Sequence, residues 1–217
     1  MKLWICGNDL QEMKRWMDYG IFEGILTNPD IVAASGINRK AYFKKLCAIS
    51  DGPVFYQLET TTEEDMHKDA ISMLQVDEKI KIKVPASRAG MGVMSTLARD
   101  GHDVLATCVP DLSTLLLSVK FGAKWITPYG SLWNPFVQED KESLLRELQA
   151  VVLEKNLEAE IIVGIKDPSE LRRFALAGIS SFFIWVQDLP GFFDLPMVIR
   201  AEESFANSWL SIHEFGL

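Results

Sequence analysis

Charged and apolar side chains alternate along Lys79-Ile80-Lys81-Ile82-Lys83-Val84-Pro85. This period of two predicts a β-strand with its three lysines on one face. Apolar strand-like segments and amphipathic helix-like segments alternate along the rest of the chain, which is typical of a parallel sheet buried on both faces. A lysine at the C-terminal end of such a strand would therefore lie inside the molecule.

Lys83 holds that position near the end of the predicted strand. Burial removes water from an ammonium group, which lowers its pKa and makes the free amine available as a nucleophile. We therefore predict that Lys83 is a lysine that forms a Schiff base with a carbonyl substrate.

Strand-like and helix-like segments alternate eight times, which predicts an α/β fold. The predicted strands are Leu3–Cys6, Gly24–Asn28, Val54–Glu59, Lys79–Pro85, Val104–Val109, Trp125–Tyr129, Glu160–Gly164 and Phe182–Val186. We expect them to close into a (β/α)8 TIM barrel, because each crossover is right-handed and a closed sheet has no exposed edge. A doubly wound open sheet is the alternative. It usually has a glycine-rich phosphate turn after its first strand, and Cys6-Gly7-Asn8-Asp9 is not such a turn.

The last part of the chain is predicted to be a helical extension of the barrel. It carries Phe205, Trp209 and Phe215, more aromatic surface than a free terminal helix would expose. No linker or repeat divides the sequence, so residues 1–217 are expected to form a single domain.

Composition excludes several classes of partner. The net charge of −8 and the pI near 5.0 argue against nucleic acid, since phosphate binding needs a basic face. No apolar run approaches the ~20 residues that cross a membrane, and the N-terminus lacks the features of a signal peptide. Cys6, Cys47 and Cys108 are predicted to be free thiols, which favours a cytoplasmic location. His67, His102 and His213 show no metal-ligand spacing, and we expect neither a metal nor a cofactor.

Polar side chains gather at the ends of otherwise apolar strands. Counting inward positions from Lys83 selects Cys6, Asn28, Gln57, Lys83, Thr107, Thr127 and Tyr129. Each one alone could simply pair with a buried backbone group. Several of them converging on one lysine favour an active site, because sites of this fold lie where strands end.

These residues carry a family resemblance. The matching segments are Leu26-Thr27-Asn28-Pro29-Asp30-Ile31, Phe55-Tyr56-Gln57-Leu58, Ile82-Lys83-Val84-Pro85, Ala106-Thr107-Cys108-Val109, Thr127-Pro128-Tyr129 and Lys166-Asp167-Pro168. In order and spacing the sequence resembles the small transaldolases and fructose-6-phosphate aldolases.

The resemblance implies class I aldolase chemistry on a small ketose, either a dihydroxyacetone-type donor or fructose 6-phosphate. Lys83 would form an iminium with the ketose and so act as an electron sink. Gln57, Thr107 and Tyr129 would hold a water that transfers protons. Substrate hydroxyls would meet Asn28, with Thr27 beside it, and Thr127. The resemblance also implies a homo-oligomer, a pentamer or decamer, assembled through the C-terminal segment.

Three positions depart from the family pattern. Cys6 stands where the family has the aspartate thought to deprotonate the hydroxyl of the breaking bond, Leu132 where it has a phosphate-binding arginine, and Gly164 where it has a serine. We therefore expect phosphate to contribute little to substrate choice. The departures also leave a second function open, in which the barrel binds a metabolite without turnover.

Lys81 has no evident match in the family. Its charge could lower the pKa of Lys83 by repulsion, or it could form an ion pair with Glu59 inside the barrel. The sequence leaves both open.

Overall fold

The computed structural model describes residues 1–59, 61–128 and 141–214, except the side chains of residues 211, 213 and 214. Within these ranges the parallel strands form one closed barrel in the order β1 to β8. The strands are β1 Lys2–Cys6, β2 Gly24–Leu26, β3 Val54–Gln57, β4 Ile80–Pro85, β5 Val104–Val109, β6 Ala123–Pro128, β7 Glu160–Ile165 and β8 Ser181–Trp185. Pairing of β1 with β8 closes the sheet, so the predicted barrel is confirmed and the open sheet is wrong.

Helices surround the barrel and extend it at the C-terminus. They are α1 Leu10–Met17, α2 Pro29–Ala34, α3 Arg39–Ile49, α4 Glu63–Leu74, α5 Arg88–Arg99, α6 Leu112–Lys120, α7 Lys141–Glu154, α8 Pro168–Leu176, α9 Pro190–Phe193 and α10 Pro196–Glu214. The predicted helical extension is confirmed as α9 and α10.

The short helix α2 was not predicted. Its sequence supplies both start signals, because Asn28 caps the helix and Pro29 occupies its first turn. The Asn28 side chain accepts a hydrogen bond from Ile31 N at 2.8 Å. Strand β2 therefore ends at Leu26, two residues before the predicted end, and Asn28 begins a helix instead.

An aromatic layer fills the barrel on the N-terminal side of Lys83. The ring centroids of Trp4 and Phe55 are 5.5 Å apart, and those of Phe55 and Trp125 are 5.1 Å apart. Phe55 pairs with Lys81 in the sheet register, one inward step below the pair of Gln57 and Lys83. The space around Lys83 is thus closed from below and opens toward the C-terminal ends of the strands, where barrel sites lie.

Helix α10 leaves its apolar side chains in solvent. Met197, Phe205, Trp209 and Leu210 are all exposed, as is every other residue of the helix whose side chain is described. Across the described ranges, no helix is long and apolar enough to span a membrane.

Candidate active site

Lys83 lies inside the barrel, where the alternation of β4 predicts it. Its side chain belongs to the buried set, with 4% of the residue exposed, and Nζ donates a hydrogen bond to Thr27 O at 3.1 Å. Burial lowers the pKa of this amine to about 8, and the nearby thiols of Cys108 and Cys6 oppose the shift. The result is a desolvated amine that gives up its proton more readily than an ordinary lysine.

A cavity of about 250 Å³ opens beside this amine at the C-terminal mouth. It is smaller than the pockets that hold drug-sized ligands, so it suits a small metabolite. Five of the predicted site residues line it together: Cys6, Thr27, Asn28, Lys83 and Thr127. Tyr129 and Leu132 lie outside the described residues.

Gln57 and Thr107 lie next to Lys83 in the sheet but do not line the cavity. Gln57 pairs with Lys83 in the register, and Thr107 pairs with Pro85. Gln57 Oε1, Thr107 Oγ1 and Thr127 Oγ1 are buried without a hydrogen-bond partner among the described residues. An unpaired buried polar atom costs about 1–3 kcal/mol, so these three atoms on β3, β5 and β6 mark positions where a bound water or a polar ligand would form hydrogen bonds.

Thr27 and Asn28 use part of their hydrogen-bonding capacity within the fold. The Thr27 hydroxyl donates to Phe55 O at 2.7 Å, and Thr27 contacts Lys83 through its backbone carbonyl. Asn28 uses Oδ1 to cap α2. Its amide nitrogen is therefore the part of the side chain suited to bind a substrate hydroxyl.

The environment of Cys6 disfavours the thiolate form that a general base would need. It is 1% exposed, and Sγ donates a weak hydrogen bond to Ile184 O at 3.6 Å. Burial raises the pKa of the thiol well above its usual value, although the charge of Lys83 acts in the other direction. A thiol that stays protonated at neutral pH accepts no proton from a substrate hydroxyl.

Lys81 fills neither of the roles considered for it. The lowered pKa of Lys83 has burial as its cause, with no contribution from Lys81. The ion pairs found among the described residues do not include Lys81 with Glu59.

Several residues that line the cavity were not predicted to belong to the site, namely Lys141, Lys166, Glu170, Phe183 and Trp185. Phe183 and Trp185 could have been predicted from the sequence, because their alternation places both on the inward face of β8. In the sheet they pair with Trp4 and Cys6 of β1. Lys141 and Glu170 could not have been predicted in this way, because each lies in the first turn of a helix, where charged residues are usually solvated.

The ring of Phe183 lies directly against the backbone of Gly164. A Cβ placed on Gly164 would lie 2.5 Å from the Phe183 ring, far inside van der Waals contact. The ring thus occupies the space that a side chain at position 164 would need. Glycine at this position leaves an aromatic wall in the cavity in place of a polar group.

Fold and site together define a (β/α)8 barrel that holds a desolvated lysine at its C-terminal cavity. The sequence matches the family model described as Transaldolase/Fructose-6-phosphate aldolase over residues 3–161, more than two thirds of the chain. The chain therefore belongs to the transaldolase/fructose-6-phosphate aldolase family.

The matches to similar proteins cover almost the whole chain. A protein of Methanococcus maripaludis (strain C7 / ATCC BAA-1331) named "Probable transaldolase" is 26% identical over 210 residues, 96% of this chain and 97% of the relative. A protein of the same name from Thermodesulfovibrio yellowstonii is 26% identical over 210 residues, covering 96% and 98%. Another from Dictyoglomus turgidum is 25% identical over 210 residues, with the same coverage.

Proposed function

We propose that this protein is a class I aldolase or transaldolase in which Lys83 forms a Schiff base with a small ketose. The observation that carries the proposal is the lowered pKa of the buried Lys83 amine, which faces a cavity that the aromatic layer closes on the N-terminal side of the barrel. At pH 7 a pKa of about 8 leaves about a tenth of the amine unprotonated, against less than a thousandth for an ordinary lysine. Family membership supports the same chemistry.

The proposed reaction begins with attack of Lys83 Nζ on the ketose carbonyl carbon. Loss of water from the carbinolamine gives an iminium, whose positive nitrogen accepts the electron pair of the adjacent carbon–carbon bond as that bond breaks. The hydroxyl next to the breaking bond gives its proton to a water molecule, and its carbon and oxygen become the carbonyl group of the aldehyde product. The enamine left on Lys83 then adds to an acceptor aldehyde, or is protonated and hydrolysed to release the donor.

The unpaired polar atoms near Lys83 support a role in moving protons. Formation and loss of the carbinolamine need a proton delivered to one oxygen and then removed with water. Gln57, Thr107 and Thr127 present buried polar atoms that can orient such a water. We propose that Gln57 and Thr107, which pair with Lys83 and Pro85 in the sheet, hold this water, while Asn28 and Thr127 contact the ketose.

Borohydride trapping tests the proposal directly. The protein is incubated with dihydroxyacetone or fructose 6-phosphate, reduced, and mapped by mass spectrometry. We expect an adduct on Lys83 that Lys83→Met abolishes, while Lys81→Met, a change two residues earlier on the same strand, keeps it. An adduct on another lysine, or no adduct with either ketose, would rule out the assignment.

Cys6 favours one alternative, in which the barrel binds a metabolite or forms the iminium without cleaving a bond. Its protonated thiol leaves the cleavage step without a base at the family position. Turnover separates the two functions, since an aldolase releases aldehyde from a ketose that it traps and a binding protein does not.

We also propose that the protein is a homo-oligomer and works in the cytoplasm. The exposed apolar residues of α10 support assembly, because a monomer would leave them in water. The free cysteines support a reducing compartment. Subcellular fractionation tests the location, and recovery with an oxidising compartment would refute it.

A further inference from the structure

The part of the cavity wall that lies across from Lys83 is aromatic. Phe183 and Trp185 stand two residues apart on β8, line the cavity and are partly exposed. Both face the inside of the barrel, so their exposed surface belongs to the cavity and its rim. In a closed barrel of eight strands β8 lies opposite β4, which carries Lys83. A substrate attached to Lys83 would therefore meet these two rings as it extends across the barrel.

The strands on either side of β8 add little hydrogen-bonding capacity to this aromatic wall. On β7, Gly164 has no side chain, and its carbonyl already accepts a hydrogen bond from Lys141 Nζ at 3.0 Å. On β1, Cys6 is a buried thiol whose Sγ donates weakly to Ile184 O at 3.6 Å. Trp185 has an indole N–H, which donates a hydrogen bond but accepts none. A hydroxyl placed against this wall would lose hydrogen bonds to water without replacing most of them.

The uncharged polar side chains that line the cavity lie on other strands. Thr27 and Asn28 follow β2, and Thr127 lies near the end of β6. Thr127 Oγ1 has no hydrogen-bond partner among the described residues, and Asn28 uses only Oδ1 to cap α2. The hydroxyls next to the carbonyl of a ketose on Lys83 would therefore find partners, whereas the far end of the same molecule would meet the aromatic wall.

This contrast favours carbon over oxygen at the far end. Each methylene that the wall removes from water strengthens binding about fourfold. A hydroxyl buried there without a partner weakens binding, because its hydrogen bonds to water are lost.

We propose that Phe183 and Trp185 select a substrate that carries an apolar group at the end away from its carbonyl. The inference rests on the proposed function, because it assigns the part of the ketose that becomes the aldehyde. A substrate R–CH(OH)–CH(OH)–CO–CH2OH would be cleaved between its two CH(OH) carbons to R–CHO and dihydroxyacetone, with R an alkyl or aryl group against the rings. The outer hydroxyl loses one proton, and the enamine carbon takes up one before the donor is released.

Matched probes without a carbonyl test the aromatic wall separately from Schiff-base chemistry. 1,2-Hexanediol and 1,2,6-hexanetriol differ only in the hydroxyl at the far end, and neither can form an imine with Lys83. Their dissociation constants are measured by ligand-observed NMR titration of the intact chain. We expect the diol to bind at least about fivefold more tightly than the triol, a difference of about 1 kcal/mol, as a hydroxyl buried without a partner predicts.

Variants then assign the preference for the diol to the rings. Phe183→Asn places an amide in the wall and should remove most of the preference, whereas Phe183→Leu, which stays apolar, should retain most of it. Trp185→Gln provides an independent second loss. Phe193→Asn is the matched control, because Phe193 is an exposed ring that stacks on Trp16 outside the cavity lining. Thermal melts of all variants check folding.

The inference is overturned if the diol does not bind, if diol and triol bind equally, if the preference persists in both Phe183→Asn and Trp185→Gln, or if Phe193→Asn loses it equally. If the preference depends on Phe183 but no ketose is trapped on Lys83, the apolar subsite stands and the proposed function fails. If a ketose is trapped and no preference for the diol exists, the opposite holds.

Discussion

Replacing Cys6 by aspartate tests whether the missing carboxylate limits bond cleavage. A thiol with the ordinary pKa of 9.0 is about 1% ionised at pH 7, and burial makes Cys6 less ionised still. An aspartate with an ordinary pKa of ~3.9 is almost fully ionised there, and the nearby charge of Lys83 counteracts the rise that burial causes. The available base therefore increases at least about 100-fold, which matches the low end of the 10²–10⁴-fold gain typical of general base catalysis.

The assay separates the two halves of the reaction. Borohydride trapping reports iminium formation, which depends on Lys83 and its neighbours, and aldehyde release reports cleavage. We expect Cys6→Asp to raise aldehyde release at least tenfold relative to the amount of trapped adduct, less than the ionisation ratio because the geometry of the new base is imperfect. The trapping rate itself should not rise, because an ionised carboxylate near Lys83 raises the pKa of its amine. Cys6→Asn is the control, because its side chain has the same shape and cannot accept a proton at neutral pH.

Two outcomes would refute this reasoning. Equal turnover in wild type and Cys6→Asp, with trapping intact, would show that the absence of a base at this position does not limit the rate of cleavage. A similar rise of aldehyde release in Cys6→Asn would show that the polarity or shape of the new side chain, and not its basicity, increases the rate. A thermal melt accompanies both, because a buried carboxylate that fails to pair with Lys83 would destabilise the fold.

The remaining predictions concern stability and assembly. Lys83→Met should raise the free energy of unfolding at pH 7 by up to about 3 kcal/mol, because a lysine pKa lowered from 10.5 to about 8 costs stability wherever the unfolded chain holds the proton. The gain should shrink as pH rises from 8 to 10.5, since the wild type gains stability across that window; a pH-independent gain in chemical denaturation would contradict it. Light scattering of the intact chain should give a multiple of 24.5 kDa, a pentamer or decamer, and Phe205→Glu with Leu210→Glu should lower that mass; a monomeric wild type refutes the assembly. Gly164→Ser should destabilise the protein by about 1–3 kcal/mol through its clash with Phe183, and adding Phe183→Ala should recover part of the loss in thermal melts; no loss in the single variant would show that the ring moves freely.

The fold was predictable because its signal repeats along the chain. Alternation along β4 placed Lys83 inside the barrel, and β5 begins and ends at the predicted residues, Val104 and Val109. A parallel barrel repeats one unit, so errors of one or two residues at strand ends left the architecture unchanged. The error at Asn28 had a local cause, because a residue that follows a strand and precedes proline satisfies the pattern of a strand end and of a helix cap equally well.

The site was less predictable because facing inward and lining the cavity are different properties. Gln57 faces the same side of the sheet as Lys83, yet it contributes to a neighbouring groove beside Asn28 and Arg39. Lys141 reaches the cavity from the first turn of α7, and no periodic pattern in the sequence predicts that its side chain points toward the cavity. Its position depends on the carbonyl of Gly164 and the ring of Phe174, contacts that join three separate elements and leave no trace in local sequence.

The two departures from the family pattern that fall among the described residues, Cys6 and Gly164, lie on one side of the barrel, and this distribution argues for an altered substrate rather than a decayed enzyme. Asn28 follows β2, and strands β3 to β5 carry Gln57, Lys83 and Thr107; the proposed task of this matching group is to form the iminium and to contact the ketose. Cys6 and Gly164 lie on β1 and β7, on either side of β8. A decaying site would leave gaps, but here the ring of Phe183 fills the space above Gly164, and the ammonium of Lys141 binds the carbonyl of the same glycine. The two halves should therefore respond independently to mutation: changes around Lys83 should alter trapping with every ketose, whereas changes around Gly164 and Lys141 should alter which ketose is trapped.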